Sequence, residues 1–219
     1  MSRQFYIATT NLYIATTNPG KLRDFAVAAE SSGSRILALP GLESVPPAPE
    51  NADTFEGNAC GKAVYYSRLL PGEIVLADDS GLEVEVLNGA PGVRSARYAA
   101  DAAFALSTTL STDARNNLYL LEQLSGIEES RRGACYRCVV AAAADSKVLF
   151  VGHGAVQGRI LNTPRGAGGF GYDPLFYLPE LERSMAEIDL LEKHSLSHRG
   201  KAVRSLLLQL AQASAAGLI

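Results

Sequence analysis

A mixed α/β fold is what the amino-acid sequence predicts, and three observations predict it. Helix-like and strand-like segments intermingle without the strict alternation of a doubly wound sheet. Two strand-like runs, near 134–143 and 147–156, meet at Asp145-Ser146 as an antiparallel pair. No linker-like stretch divides the 219 residues, a length suited to one large domain or two small lobes. With 47% hydrophobic and 20% charged residues the composition is globular, which excludes a disordered or collagen-like chain. A formal net charge of −3 argues against a nucleic-acid binder that works by neutralising many phosphates. It still allows a small anionic ligand held by a few local lysines. No apolar run approaches the ~18 residues of a membrane helix, and the opening MSRQFYIATTN lacks signal-peptide architecture. The expectation is a soluble, intracellular protein that meets neither membrane nor nucleic acid. Three cysteines, an odd and small number, make no disulfide scaffold.

Taken in order, the elements begin with a tandem repeat, FYIATTN (5–11) followed by LYIATTN (12–18), rich in strand formers. Only the second copy runs into Pro19-Gly20-Lys21. Asn18 is an N-cap, Pro19 the first helical position and Gly33 the stop of a helix near 19–32. Pro46-Pro47-Ala48-Pro49 is a stiff short hinge between lobes. Thr54 caps a second helix reaching about Leu70. A short buried strand, 74–77, ends in Asp78-Asp79-Ser80-Gly81, and 82–87 alternates as a half-exposed strand. A helix near 113–124 carries Leu118, Leu121 and Leu124 along one face. RGAGGFGYDP (165–174) is a glycine-rich loop, and Ser197 opens a last helix with Val203, Leu206, Leu207 and Leu210 inward.

Some of these residues can carry chemistry. A strand entering a capped helix at Thr16-Thr17-Asn18-Pro19-Gly20-Lys21 presents backbone N–H groups, two hydroxyls and a lysine, which together suit an anion. An ordinary capped helix is the plain alternative. Thr54, Asn58 and Lys62 are spaced by four on one helix face, with Gly57 and Gly61 beside them. Asp78-Asp79 at the end of a buried strand suit a hard cation or proton transfer, and Glu50 offers another oxygen. Phe170 among glycines offers a stacking face for a base. His198 and Arg199 stand at a helix start, where the dipole disfavours cations, so an acceptor such as a keto oxygen or phosphate is expected to offset them. Cys135 and Cys138 form C-x-x-C on a strand, where i and i+3 point to opposite faces and share no metal. No H-E-x-x-H or G-x-S-x-G pattern occurs.

Five motifs together, IATTNPGK (14–21), TFEGNACGKA (54–63), LADDSGLEVEVLNGAPGVRSARYA (76–99), GGFGYDPLF (168–176) and SHRGKA (197–202), strongly resemble the inosine triphosphate pyrophosphatase family in order and over nearly the whole chain. The resemblance implies a single two-lobed domain over 1–219, with a long mixed sheet flanked by helices and a central substrate cleft. It implies Mg²⁺-dependent hydrolysis of noncanonical purine nucleoside triphosphates (dITP, ITP, XTP) to the monophosphate and pyrophosphate by a cytoplasmic homodimer. Carried onto this sequence, Thr16, Thr17, Asn18, Pro19, Gly20 and Lys21 would hold the triphosphate, with Lys62 on the phosphates and Ser80 on the substrate. Glu50 and Asp79 would ligate Mg²⁺, and Asp79, supported by Asp78, would accept the proton. Phe170, Gly171, Tyr172 and Asp173 would enclose the base, with Lys193, His198 and Arg199 reading its edge. The chain departs from the family in the N-terminal duplication, in Gly57 where many members carry glutamate, and in the long connection 100–117. Two rivals stay open: a pyrophosphatase for modified pyrimidines or methylated bases, and a nucleotide-binding regulator without catalysis.

Overall fold

A computed structural model describes residues 11–30, 34–104 and 109–217. Its elements are β1 (Leu12–Ile14), α1 (Pro19–Glu30), β2 (Ile36–Ala38), α2 (Phe55–Ser67), β3 (Ile74–Val84), α3 (Tyr98–Asp101), α4 (Thr112–Gln123), β4 (Gly133–Ala144), β5 (Lys147–Ile160), β6 (Phe176–Leu178), β7 (Arg183–Ser184), α5 (Leu190–Leu196) and α6 (His198–Ala215). The strands form one seven-stranded sheet in the order β2-β1-β3-β4-β5-β6-β7. β1 runs parallel to β2 and β3, with Leu12 opposite both Ile36 and Ile74, whereas β6 is antiparallel to β5 and β7. The sheet is therefore mixed, as the sequence predicts. Asp145 and Ser146, with φ of 48° and 65°, form the tight turn that joins β4 to β5 as a hairpin.

Two compact units divide the chain. One comprises the residues up to 79, then 138–154 and everything from 194 on; the other comprises 80–137 and 155–193. The divisions fall within β3, β4, β5 and α5 rather than at Pro46–Pro49, so the hinge expected there is corrected. That segment is pinned inside the first unit, where the Ala48 N–H donates to the Tyr66 hydroxyl (2.9 Å) and the Tyr65 hydroxyl donates to the Pro46 carbonyl (3.2 Å).

In the first unit α1 and α6 pack together over one sheet face, and Phe25, Ile14, Leu76, Val140, Leu206 and Leu210 fill the space between. Full burial of each such side chain stabilises by about 1.5–3 kcal/mol. Val75, pointing the other way along β3, meets Tyr66 of α2 and Leu39. α6 lies so close to β5 that a Cβ at Gly152 or Gly154 would strike the carbonyls of Ala202 and His198.

The second unit corrects the α4 face. Leu120 and Leu124 are buried, but Leu118 is 42% exposed. Asn116 explains the rotation: its Oδ1 accepts from the Ala99 N–H (3.0 Å) and its Nδ2 donates to the carbonyls of Ser95 and Ala96. Anchoring Asn116 inward turns the 116/120/124 stripe, one residue every four, toward the interior.

β3 also differs from expectation. Instead of two strands broken at Asp78–Gly81, one strand continues to Val84 and only then tightens into a 3₁₀ turn, Glu85–Leu87. Both carboxylates sit within the strand because each is paired there, so the local turn preference of D-D-S-G is overridden. The first FYIATTN copy, apart from Asn11, and the Gly33 stop lie outside the described residues.

Candidate active site

The end of β1 leads into α1 through a well-made cap. Asn18 Oδ1 accepts from the backbone N–H groups of Gly20 (2.8 Å) and Lys21 (3.1 Å), and the Asn18 N–H donates to Thr16 Oγ1 (3.2 Å). The cap is as the sequence predicts, but the Gly20 and Lys21 N–H groups expected to face an anion are already engaged by it. Anion affinity at this end thus rests on the Thr16 and Thr17 hydroxyls and the Lys21 ammonium. Thr16, Thr17, Lys21, Glu50, Lys62 and Asp78 line one cavity of about 440 Å³, together with Pro47 and Tyr66. Thr16, Thr17, Asn18 and Pro19 border a second cavity of about 510 Å³ against Gly41–Ser44.

β3 outruns its parallel neighbour: β1 ends at Ile14, and Asp78 and Asp79 follow just beyond that edge. Ligands in open α/β sheets gather at such strand ends. Asp78 is held by Lys21 (Nζ–Oδ2 2.9 Å) and by Arg199 (Nε–Oδ2 3.7 Å), and Arg199 Nη1 also binds Asp24 Oδ2 at 2.6 Å. Burial alone would lift the Asp78 carboxyl, but Lys21 and Arg199, with Lys62 behind them, hold it well below the usual carboxylate range. Arg199 is buried, so the acceptors that offset the dipole at the α6 N-terminus are these two carboxylates. His198 is buried beside it. Ser197 caps α6 by accepting from the Gly200 N–H (3.1 Å).

Asp79 has a different environment. Its Oδ1 accepts from Lys62 Nζ (3.1 Å) and its Oδ2 from Asn58 Nδ2 (3.1 Å), and Lys62 Nζ also reaches Glu50 Oε1 (2.9 Å). Burial raises the Asp79 carboxyl above its ordinary value, and Lys62 and the Asn58 amide oppose that rise without cancelling it. Burial would lower the Lys62 ammonium, but Asp79 and Asp78 outweigh it and raise it. α2 puts Asn58 and Lys62 on one face through its Thr54 cap, whose Oγ1 accepts from the Gly57 N–H (3.0 Å). A Cβ at Gly57 would meet the Ala52 Cβ at 2.6 Å, so this chain lacks room for the glutamate of a capping box. Asn58 Oδ1 instead ties down that segment by accepting from the Ala52 N–H (3.0 Å). Gly61 has open space beside it.

Glu50 and Asp79 converge on one cation, the Lys62 ammonium, and Glu50 stays partly exposed. Two hard oxygen donors in that relation fit a divalent cation that completes its shell with water and phosphate oxygens. Among the described residues no group of three His, Cys, Asp or Glu side chains converges in the manner of an all-protein metal cage.

The glycine-rich loop belongs to the second unit. Asp173 Oδ2 accepts from the Phe170 N–H (2.9 Å) and from Lys193 Nζ (2.5 Å), while its Oδ1 accepts from the Tyr136 hydroxyl (3.3 Å). Tyr172 is buried and its hydroxyl donates to the Ser95 carbonyl (2.8 Å). Tyr172, Asp173 and Lys193 therefore fix the loop from within. Phe170 is half-buried, with Lys193 Nζ 5.4 Å from its ring centroid. Ser80, next after Asp79 on β3, is partly exposed. Sequence reasoning flagged Asn58 only as part of a stripe and passed over Asp24 and Tyr136. Asp24 carries no local signal, being one more carboxylate on an amphipathic helix.

Fold and site together define a class: α/β proteins with lysines, hydroxyls and paired carboxylates set around the C-terminal edge of parallel strands, suited to an anionic ligand that arrives with a cation. Within that class the chain belongs to the Ham1 family, whose model matches residues 12–209. A dITP/XTP pyrophosphatase of Acidobacterium capsulatum is 54% identical over 199 residues, covering 91% of this chain and 97% of that protein. The solved structure of a HAM1 protein from Coxiella burnetii superposes with a TM-score of 0.78 at 36% identity, covering 94% of this chain and 100% of its own. The Staphylococcus aureus Ham1 protein gives 0.75 at 34% identity with the same coverage. The family read from the five motifs and the mixed α/β sheet both stand.

Proposed function

We propose that the chain hydrolyses noncanonical purine nucleoside triphosphates, dITP, ITP and XTP, to the monophosphate and pyrophosphate, with Mg²⁺ as cofactor. The observation that carries this reading is Asp79 itself: a buried carboxylate with raised proton affinity, oriented by Lys62 and Asn58 and set beside Glu50. The relatives' naming as dITP/XTP pyrophosphatases supports the substrate class.

A magnesium triphosphate carries a charge of about −2. Each lysine at ~4 Å in an effective dielectric of ~20 contributes about 4 kcal/mol of gross attraction. Lys21 and Lys62 thus gather the polyphosphate onto a protein of negative net charge, with Thr16 and Thr17 donating hydroxyl hydrogen bonds. Glu50 and Asp79 would hold Mg²⁺, which when bound neutralises phosphate charge and acidifies a bound water. Asp79 takes the proton of the attacking water. The water oxygen bonds to the α-phosphorus, the bond from that phosphorus to the bridging oxygen breaks, and pyrophosphate leaves with the bridging oxygen. Asp78, pinned by Lys21 and Arg199, stays ionised and fixes the lysine that meets the phosphates. Phe170 stacks on the base. A site matched to a 6-keto oxygen and N1–H leaves donors facing donors when adenine enters, a mismatch that discriminates strongly.

The proposal includes a homodimer, as the family resemblance implies, working in the cytoplasm on the nucleotide pool. Among the described residues no helix is long and apolar enough to cross a membrane. A panel of dITP, XTP, ITP, ATP, dGTP, dTTP and UTP, with and without Mg²⁺ and with pyrophosphate release as the readout, tests the reaction. Metal-dependent release from dITP, ITP and XTP well above that from ATP, dGTP, dTTP and UTP is expected. Faster turnover of dTTP or UTP, or nucleotide binding with no pyrophosphate release, overturns it. Light scattering of the purified chain tests the dimer.

A further inference from the structure

We propose that Asp113 and Asn117 of α4 are positioning residues that set the Phe170 ring for the base; this rests on reading loop 168–173 as the base subsite. Asp113 Oδ2 accepts from the Gly171 N–H (2.7 Å), and one helical turn later Asn117 Nδ2 donates to the Gly171 carbonyl (3.0 Å). A single helix face thus grips both polar groups of one residue, using side chains four apart.

Helix formation does not ask for either group. Ser111 already caps α4, its Oγ accepting from the Ala114 N–H (3.2 Å). Asn117 Oδ1 is buried with no partner among the described residues. A buried unsatisfied acceptor is a cost that an apolar residue here would not incur, so the amide serves the Gly171 contact rather than the packing.

The consequence falls on Phe170. Its own N–H is held by Asp173, and the N–H of the next residue is held by Asp113, so the peptide planes on both sides of its Cα are anchored. Gly171 takes the left-handed conformation, φ +62°, that this path requires and that a side chain would disfavour. With its backbone fixed at two successive amides, the ring meets a base without first being ordered, which favours binding. Gly171 itself has both polar groups committed to α4, so base contact at this point of the loop falls to the ring.

The test compares Asp113→Ala, Asn117→Leu, Asp113→Asn and Phe170→Ala by steady-state kinetics on dITP and by competitive inhibition with inorganic tripolyphosphate, which has no base. Asp113→Ala and Asn117→Leu are each expected to raise KM for dITP about fivefold with kcat held within about twofold and tripolyphosphate inhibition unchanged. Asp113→Asn, which keeps an acceptor oxygen, is expected to recover most of the affinity. Phe170→Ala is expected to raise KM about tenfold or more. If Phe170→Ala raises KM while the α4 variants do not, the clamp is overturned and the base subsite stands. If Phe170→Ala leaves KM unchanged, the subsite reading falls and the clamp falls with it. Equal weakening of dITP and tripolyphosphate in the α4 variants means general damage, and also overturns it.

Discussion

Two clusters in this molecule pair lysine with aspartate, and they differ in how far the pairing is closed. Around Asp173 one lysine meets one carboxylate, and a tyrosine hydroxyl and a backbone N–H complete the carboxylate's hydrogen bonds. Lys193 and Asp173 side chains are only 10% and 5% exposed. Around β3, by contrast, Lys21, Lys62 and Arg199 face Asp24, Asp78, Asp79 and Glu50, and Lys21 and Glu50 remain partly open to solvent. The first arrangement is a closed scaffold element. The second holds extra charge of both signs at a cavity wall, which a polyanion and its cation would complete.

If that contrast is right, the two clusters break differently. Lys193→Met leaves Asp173 buried without its cation, and breaking such a pair costs about 3–5 kcal/mol of stability. Urea unfolding should show that loss directly. A midpoint close to the parent's would mean the pair is not structural, and the contrast would collapse.

Asp79→Asn probes the other side. It keeps the shape and an acceptor for Lys62 but cannot take a proton at the attacking water. Turnover of dITP should fall at least ~100-fold, with nucleotide affinity little changed by titration calorimetry. A variant that keeps its rate removes Asp79 from the proposed chemistry; one that instead loses stability as Lys193→Met does would make both clusters scaffolds.

The same contrast explains what could be read from the sequence. Caps at Asn18 and Thr54 are legible because a cap is decided within three residues. Lys62 and Asn58 were legible as a four-residue stripe for the same local reason. Arg199 and Asp24 are 175 positions apart, and nothing local announces that a helix-start arginine is satisfied by a carboxylate on another helix. The Lys193 pairing with Asp173 is hidden likewise, since the two lie 20 positions apart on different elements. β3 misled in the opposite sense: D-D-S-G signals a turn locally, and only the cations brought by α1, α2 and α6 let the strand run on. Leucine spacing alone groups Leu118 with Leu121 and Leu124 on one face, because the anchoring of Asn116 leaves no local signal.

The charge around β3 also reaches the core behind it, and this gives the smallest and most specific effect. Cys138 on β4 is fully enclosed; burial, and then the negative Asp78, push its thiol up to about 12, against the pull of Arg199 and Lys21. In the unfolded chain the thiol ionises near its ordinary value of 9.0. The folded pKa is raised, so the contribution of the neutral thiol is fully present below about pH 9 and is lost as pH rises from there toward 12. Cys138→Ala opens a small cavity and should be the less stable protein at neutral pH, by roughly 1 kcal/mol. It has no thiol to ionise on unfolding, so in urea titrations the gap to the parent should narrow from about pH 7 to 9 and reverse by about pH 10.5. Tyrosines and lysines titrate in the same window, but they do so in both proteins and cancel in the difference. A gap that stays constant with pH would mean that the thiol ionises as easily folded as unfolded, and that the buried field of Asp78 does not extend to β4.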